Sequence, residues 1–348
     1  MKRANSLLIL ILAGLALLYG CTSEKGGGED LAADSVTLIT SIGGSGDNGY
    51  NDLVLAGAMR FYQRNSDVHF SLRKPGDLAE ARAILDAWLK DTSARTGRSL
   101  VILASDDYLP LLEGREPKLN ERQRILLFEC PEGHRAAGVS TFRICRYGAS
   151  WLSGAVAAES PEAHIVAANH AAGLMEDAVA GFRDAYSEVA GKTAEIHYLA
   201  EDETGFNMPN KAYDLVKDIR EAFIFPLAGG SNSGIYKYSR EEEFTLQLVA
   251  GMDVDCSEYS TRVPFSLVIH IDNVIYGLLS VWLSSGEIPA HSDYTLSDSE
   301  AVELLANPLF FERAEAFVEY YAGEDYWQKR IDSFFETAKK RELEYYGK

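Results

Sequence analysis

Positive charge is what this sequence has least of. Its 33 Lys and Arg face 52 Asp and Glu, for a net charge of -19 at pH 7 with His neutral. Polyanion binding needs clustered basic side chains, so nucleic acid is excluded as a partner, and the acidity is read as a solubility device. Cysteine is scarce as well, with 4 in 348 residues. No CxxC pair occurs, the seven histidines are scattered, and neither HExxH nor a His–Cys spacing suited to zinc is present. No metal site and no cofactor is therefore expected. The glycine-rich GGSG at residues 43–46 matches neither the P-loop nor the dinucleotide fingerprint. A G-x-S-x-G nucleophile elbow is also missing. Beyond the N-terminus no apolar run is long enough to span a bilayer, and no short-period repeat is found.

What is present is a globular balance, 47% hydrophobic and 24% charged, in a chain long enough for two core-forming lobes. The first twenty residues stand apart. Lys2 and Arg3 precede an apolar run over residues 7–18, and Leu18-Tyr19-Gly20 leads into Cys21. This segment resembles a bacterial lipoprotein signal, which implies cleavage before Cys21 and acylation of that residue. Residues 21–35, polar and glycine-rich at first, read as a flexible tether. Of the remaining cysteines, Cys130 and Cys145 flank a short segment and suit either a disulfide or two buried thiols; Cys256 makes the count odd.

Residues 36–62 organise the rest of the chain. Val36, Leu38 and Ile39 suit a buried strand, a glycine-rich turn follows, and Asp47, Asn48 and Asn51 offer caps for a helix. The alternation of strand and helix patterns continues twice over, which predicts an α/β fold of parallel sheets with right-handed crossovers in two similar lobes. Residues 264–282 are expected to return to the first lobe as a helix, and residues 307–348 to be helical and to dock across the lobes. The predicted organisation is residues 36–160 plus about 260–290 for the N-terminal lobe, and 161–259 plus about 291–348 for the C-terminal lobe.

Polar and aromatic residues recur just after the predicted strands, where open α/β sheets bind ligands. Asp47, Tyr50 and Asn51 follow the first strand, and Asp106 and Asp107 follow the run LVILA. Phe206, Gly230 and Asp253 follow strands of the second half. Tyr50 and Phe206, one in each lobe, are placed to sandwich a flat ring, while carboxylates and amides recognise hydroxyls or base edges.

The segment GDNGYNDLVLAGA resembles the GDxSFN stretch of the basic membrane protein family, bacterial lipoproteins many of which are purine-nucleoside receptors of ABC importers. The resemblance continues in order through VILASDDY, FRICRYGASWLSGAVAA, HIVAANH, TGFNMPNKAYD, PLAGGSNSGIY and VAGMDVDCSEY, over roughly residues 36–276. It implies a type I periplasmic-binding-protein fold, with two Rossmann-like lobes, three crossovers and ligand in the cleft. It also implies that Tyr50 and Phe206 stack on the base, that Asn51 and one of Asp106 or Asp107 bond it, that Asp253 holds the ribose, and that Gly230 lies in a ligand-side turn. Two positions depart from the family: Ser41 stands where it has an aspartate, and Ile269, beside His270, where it has a ribose-contacting lysine.

The implied protein is a monomeric, lipid-anchored receptor of the cell envelope. It captures a purine nucleoside or similar small polar ligand for an ABC permease. A ligand-sensing receptor of the same fold is the alternative. A nucleoside-processing enzyme is disfavoured, because the start of the chain lacks the DxDxxxDD aspartate cluster of nucleoside hydrolases.

Overall fold

The computed structural model describes residues 33–42, 44, 46, 49–91, 97–113, 117–170, 173–241, 246–310 and 325–347. The leader, Cys21 and Asp47 lie outside the described residues, as does the tether through residue 32. In chain order, β1 (Ser35–Thr40) leads to α1 (Tyr50–Arg64), β2 (His69–Arg73) to α2 (Leu78–Lys90), and β3 (Ser99–Ala104) to the short α3 (Leu109–Leu112). Then come β4 (Gln123–Leu127), β5 (Val139–Ile144) and α4 (Tyr147–Ala157). A second run holds β6 (Ala163–Ala167), α5 (Gly173–Ala190), β7 (Glu195–Tyr198), α6 (Pro209–Lys217), β8 (Phe223–Leu227) and α7 (Asn232–Glu241). It ends in β9 (Leu248–Val249), β10 (Gly251–Asp253) and β11 (Phe265–Ile269). α8 (Ile271–Ser285), β12 (His291–Tyr294), β13 (Val302–Ala306) and α9 (Tyr326–Tyr345) follow.

The first sheet has the order β2-β1-β3-β4-β5-β12, with every pair parallel. Its central strands carry the apolar runs SLVILA and QRILL, buried on both faces as parallel strands under helices must be. In the second lobe the parallel set β7-β6-β8-β9 adjoins β10-β11-β13. Only Ala250 separates β9 from β10, and its N–H donates to Ile224 O of β8 at 3.0 Å, so one bent strand links the two sets. β13 runs antiparallel to β11.

The chain passes between the two sheets three times: after β5, between β11 and α8, and between β12 and β13. These crossings differ from the boundaries expected from sequence. α4 packs on α5 of the second lobe rather than closing the first. A Cβ on Gly154 would meet the carbonyl oxygen of Phe182, and one on Gly181 that of Tyr147, so the two helices approach through reciprocal glycines. Residues 264–282 are not one helix. Phe265–Ile269 is a strand of the second lobe, and the helix starts at Ile271. An apolar run such as FSLVI fits a buried strand or a helix face equally well by periodicity. β12 joins the first sheet although its residues were expected in the second lobe. Its sequence HSDY carries no apolar alternation, and it is held by pairing to β5 and by the Arg143–Asp293 ion pair at 2.9 Å.

α9 fastens two of the crossings. Glu342, 1% exposed, accepts from Gly148 N at 3.1 Å with Oε1 and from Leu296 N at 2.8 Å with Oε2. Tyr345 stacks on Tyr147 with centroids 3.9 Å apart. Cys130, Cys145 and Cys256 are buried and none of them is in a disulfide, which decides against a Cys130–Cys145 bridge. No helix among the described residues is long and apolar enough to cross a membrane.

Candidate functional site

All four sequence-predicted positions on the first sheet that fall within the described residues lie at the carboxyl ends of its strands. Tyr50 and Asn51 open α1, and Asp106 and Asp107 form the turn after β3. Ser105 caps that turn: its Oγ accepts from Asp107 N at 3.2 Å and donates to Asp107 Oδ2 at 2.9 Å. Ser41 Oγ donates to Asn51 Oδ1 at 2.8 Å and so orients that amide.

Two residues not singled out from sequence organise this end of the sheet. Glu129, at the end of β4, and Arg146, at the first crossing, form an ion pair at 2.9 Å with side chains only 3% and 14% exposed. Glu129 Oε1 also accepts from the Tyr50 hydroxyl at 2.7 Å, and Oε2 accepts from Ile144 N at 3.0 Å. Arg146 donates back to Ile144 O at 2.8 Å and lies over the Tyr50 ring, 5.8 Å from its centroid. Burial and then the Glu129 charge push the Tyr50 hydroxyl well above its ordinary value, so it remains a donor. Burial alone would lower Arg146, but Glu129 outweighs it and holds the guanidinium charged. The sequence signal for Glu129 was its place directly after a strand, like that of Asp106. Arg146 carried no comparable mark.

The second lobe offers a matching set. Phe206 sits in the turn Glu203–Asn207, which Ser231 pins to the turn Gly229–Ser231 by donating to Gly205 O at 2.7 Å and accepting from Met208 N at 2.6 Å. The Phe206 ring rests on Gly229: a Cβ there would come within 2.9 Å of Phe206 Cδ1, and Gly229 has φ +52°. Gly230, the position expected from sequence, instead approaches the Phe206 carbonyl. Asn169, buried at the end of β6, donates to Glu203 Oε1 at 3.0 Å. Asp253 ends β10.

These groups feel one another electrostatically. Burial, then Asp107, raises Glu203 across the two lobes, and Asp253 adds to the charges that favour Arg146. Among the described residues the non-glycine residues with positive φ are Glu129 at 57° and Asp253 at 67°. Both are strand-end carboxylates interacting with Arg146, and such conformations persist where surrounding structure enforces them, often at ligand sites. Ile269 is 1% exposed at the end of β11 and takes no part. The adjacent His270 bonds Glu303 at 2.9 Å.

Among the strand-end carboxylates Asp106 is the most altered. Burial, then the charges of Asp107 and Glu129, raise it from the ordinary 3.8 to about 6. A carboxyl whose folded value is raised stabilises the fold below its unfolded value, and that stability is lost as pH rises from about 4 through about 6. The apo protein is expected to gain about 1 kcal/mol from this group between pH 7 and pH 5. Urea titrations of wild type and Asp106→Asn at both pH values test this. The asparagine variant should lack the increment, and equal pH dependence in both proteins would refute the assignment.

No protein-family model and no curated protein sequence matches the chain. Solved structures do. A solute-binding protein of an ABC transporter system from Aeropyrum pernix K1 aligns with 90% of this chain and 89% of its own, at 18% identity and TM-score 0.67. A transcriptional activator of the comK gene from Bacillus halodurans aligns over 87% and 98%, at 13% identity and TM-score 0.61. An ABC transporter solute-binding protein from Burkholderia graminis C4D1M in complex with D-arabinose aligns over 81% and 98%, at 11% identity and TM-score 0.58. At such identities the likeness concerns the fold: α/β, with parallel sheets, of the type I periplasmic-binding-protein kind.

Proposed function

We propose that this protein is a lipid-anchored solute receptor of the cell envelope. It takes a neutral, hydroxyl-bearing ligand, a purine nucleoside foremost, between its two lobes and presents it to an ABC permease. The observation that carries this reading is the charge pattern of the strand ends. Asp106 and Asp253 interact with one guanidinium, Arg146, which Glu129 already pairs, while Asp107 acts on Asp106 in its own lobe and on Glu203 in the other. Carboxylates in excess accept hydrogen bonds from hydroxyl and amino groups and repel anions, so phosphorylated or carboxylated ligands are disfavoured. Tyr50 and Phe206 supply the aromatic faces that a base needs and a bare sugar does not. Asn51 and Gly230 line the same strand ends. The excess charge also bears on motion. Asp107 and Glu203 belong to different lobes and repel, so a ligand donating to both would favour closure about the three crossings.

Calorimetry of the full chain in detergent with inosine, adenosine, guanosine, ribose and arabinose, followed by chromatography of each mixture, tests the reading. The expected result is nucleoside binding without turnover. Tighter binding of a free pentose would reassign the protein to sugars, and a released base would make it an enzyme. Cys21→Ser should abolish lipid labelling in a bacterial host; labelling that persists would remove the anchor.

A further inference from the structure

Away from these strand ends, on one face of the paired strands β6 and β7, a second group of side chains converges. In the parallel pairing of these strands His164 is aligned with Glu195 and Val166 with His197. Aligned residues share a face of the sheet, as do residues two apart on a strand, so Glu162, His164, Glu195 and His197 all project to one side. His164 Nδ1 lies 3.0 Å from His197 Nε2 and 3.7 Å from Glu195 Oε2, and His197 Nε2 lies 3.7 Å from Glu195 Oε1. The imidazole planes are 20° apart with centroids at 5.3 Å.

From this geometry we propose a transition-metal site of the zinc class, with His164 Nδ1, His197 Nε2 and the Glu195 carboxylate as ligands. Donor atoms about 2.0–2.1 Å from a tetrahedral zinc stand roughly 3.3 Å from one another, and the three observed separations bracket that spacing. Two imidazoles and one carboxylate are a donor set that suits zinc and its neighbours rather than calcium or magnesium. His164 is 8% exposed, and its Nε2 is buried with no hydrogen-bond partner. A simple N–H···N bond between the rings leaves that nitrogen unsatisfied in either tautomer. A metal on Nδ1 fixes the proton on Nε2 and directs it at Glu162, whose Oε2 lies 3.8 Å away. A carboxylate behind a ligating imidazole is the usual supporting contact. The side chains of Glu195 and Glu162, 66% and 72% exposed, leave the site open to solvent and a fourth position available for water. Sequence spacing could not show this, since the histidines are 33 residues apart and meet only through strand pairing.

The site is independent of the proposed ligand cleft, and so is its test. The full chain in detergent, stripped with EDTA, is titrated with zinc chloride by calorimetry and its melting temperature followed. Wild type is expected to bind one zinc and to melt higher with it. The variants His197→Gln, at a side chain 21% exposed, and Glu195→Gln should each weaken that binding about a hundredfold, and Glu162→Gln about tenfold, with the apo fold retained. Wild-type zinc affinity in His197→Gln, or no zinc binding by wild type, would overturn the proposal.

Discussion

Arg146→Met is expected to cost the apo protein about 3–5 kcal/mol of stability, the largest effect of any single cleft substitution, because it strands the Glu129 charge in the interior. Glu129 is 4% exposed overall, and its carboxylate is engaged by Arg146, by the Tyr50 hydroxyl and by Ile144 N. Two neutral donors remain after the arginine is gone, but neither offsets a full charge. The substitution also frees Ile144 O from the guanidinium at the point where the chain leaves the first sheet. The double variant Arg146→Met, Glu129→Gln removes both charges and should recover more than half of the loss, since replacing a whole buried pair is far milder than breaking it. Urea titration of the two variants and wild type measures the difference. A loss below about 1 kcal/mol in Arg146→Met would mean that water reaches Glu129, and the pair would then be no structural keystone.

That pair also shows what sequence can and cannot disclose here. Asp106, Asp107 and Asp253 were legible because each follows a short apolar strand, and parallel topology sends the ends of such strands to one side. Glu129 obeys the same rule. Its partner does not: Arg146 reaches it because β4 and β5 pair in register, from Ile125 with Val139 to Leu127 with Thr141. A separation of 17 residues has no helical or strand period to betray it. The histidine pair on β6 and β7 was hidden for the same reason. Ile269 illustrates the opposite failure. Its apolar surroundings suited a helix as well as a strand, and only the pairing of Phe265–Ile269 with Val302–Ala306 fixes it as a core residue. The alternation of elements predicted two lobes; that three crossings join them was implied only by the family resemblance, and neither placed them. Their positions depend on which helix finds a glycine-lined partner, as α4 does on α5.

Phe206→Ala should weaken binding of the preferred nucleoside about ten- to a hundredfold while leaving the apo fold nearly intact. The ring is partly buried, but one face is taken by the backbone of Gly229, whose missing Cβ is what allows it to lie there. The turn that carries the ring does not depend on it: Ser231 holds Gly205 O and Met208 N whether residue 206 is aromatic or not. Stacking of a base on an aromatic side chain is worth ~1–3 kcal/mol, and ~1.4 kcal/mol is a factor of ten in affinity. Tyr50 behaves differently. Tyr50→Ala removes both a ring and a donor to buried Glu129, so it should lose affinity and stability together, whereas Tyr50→Phe keeps the ring and should retain most of the affinity. The contrast separates stacking from support. Calorimetric titration of the three variants with the best nucleoside, beside apo melting curves, resolves it. If Phe206→Ala binds like wild type, the second-lobe ring does not touch the ligand, and a sugar held by carboxylates alone becomes the better reading of the cleft. If instead Phe206→Ala melts many degrees lower without ligand, the ring is a core residue of the second lobe, since a lost core aromatic costs several kcal/mol.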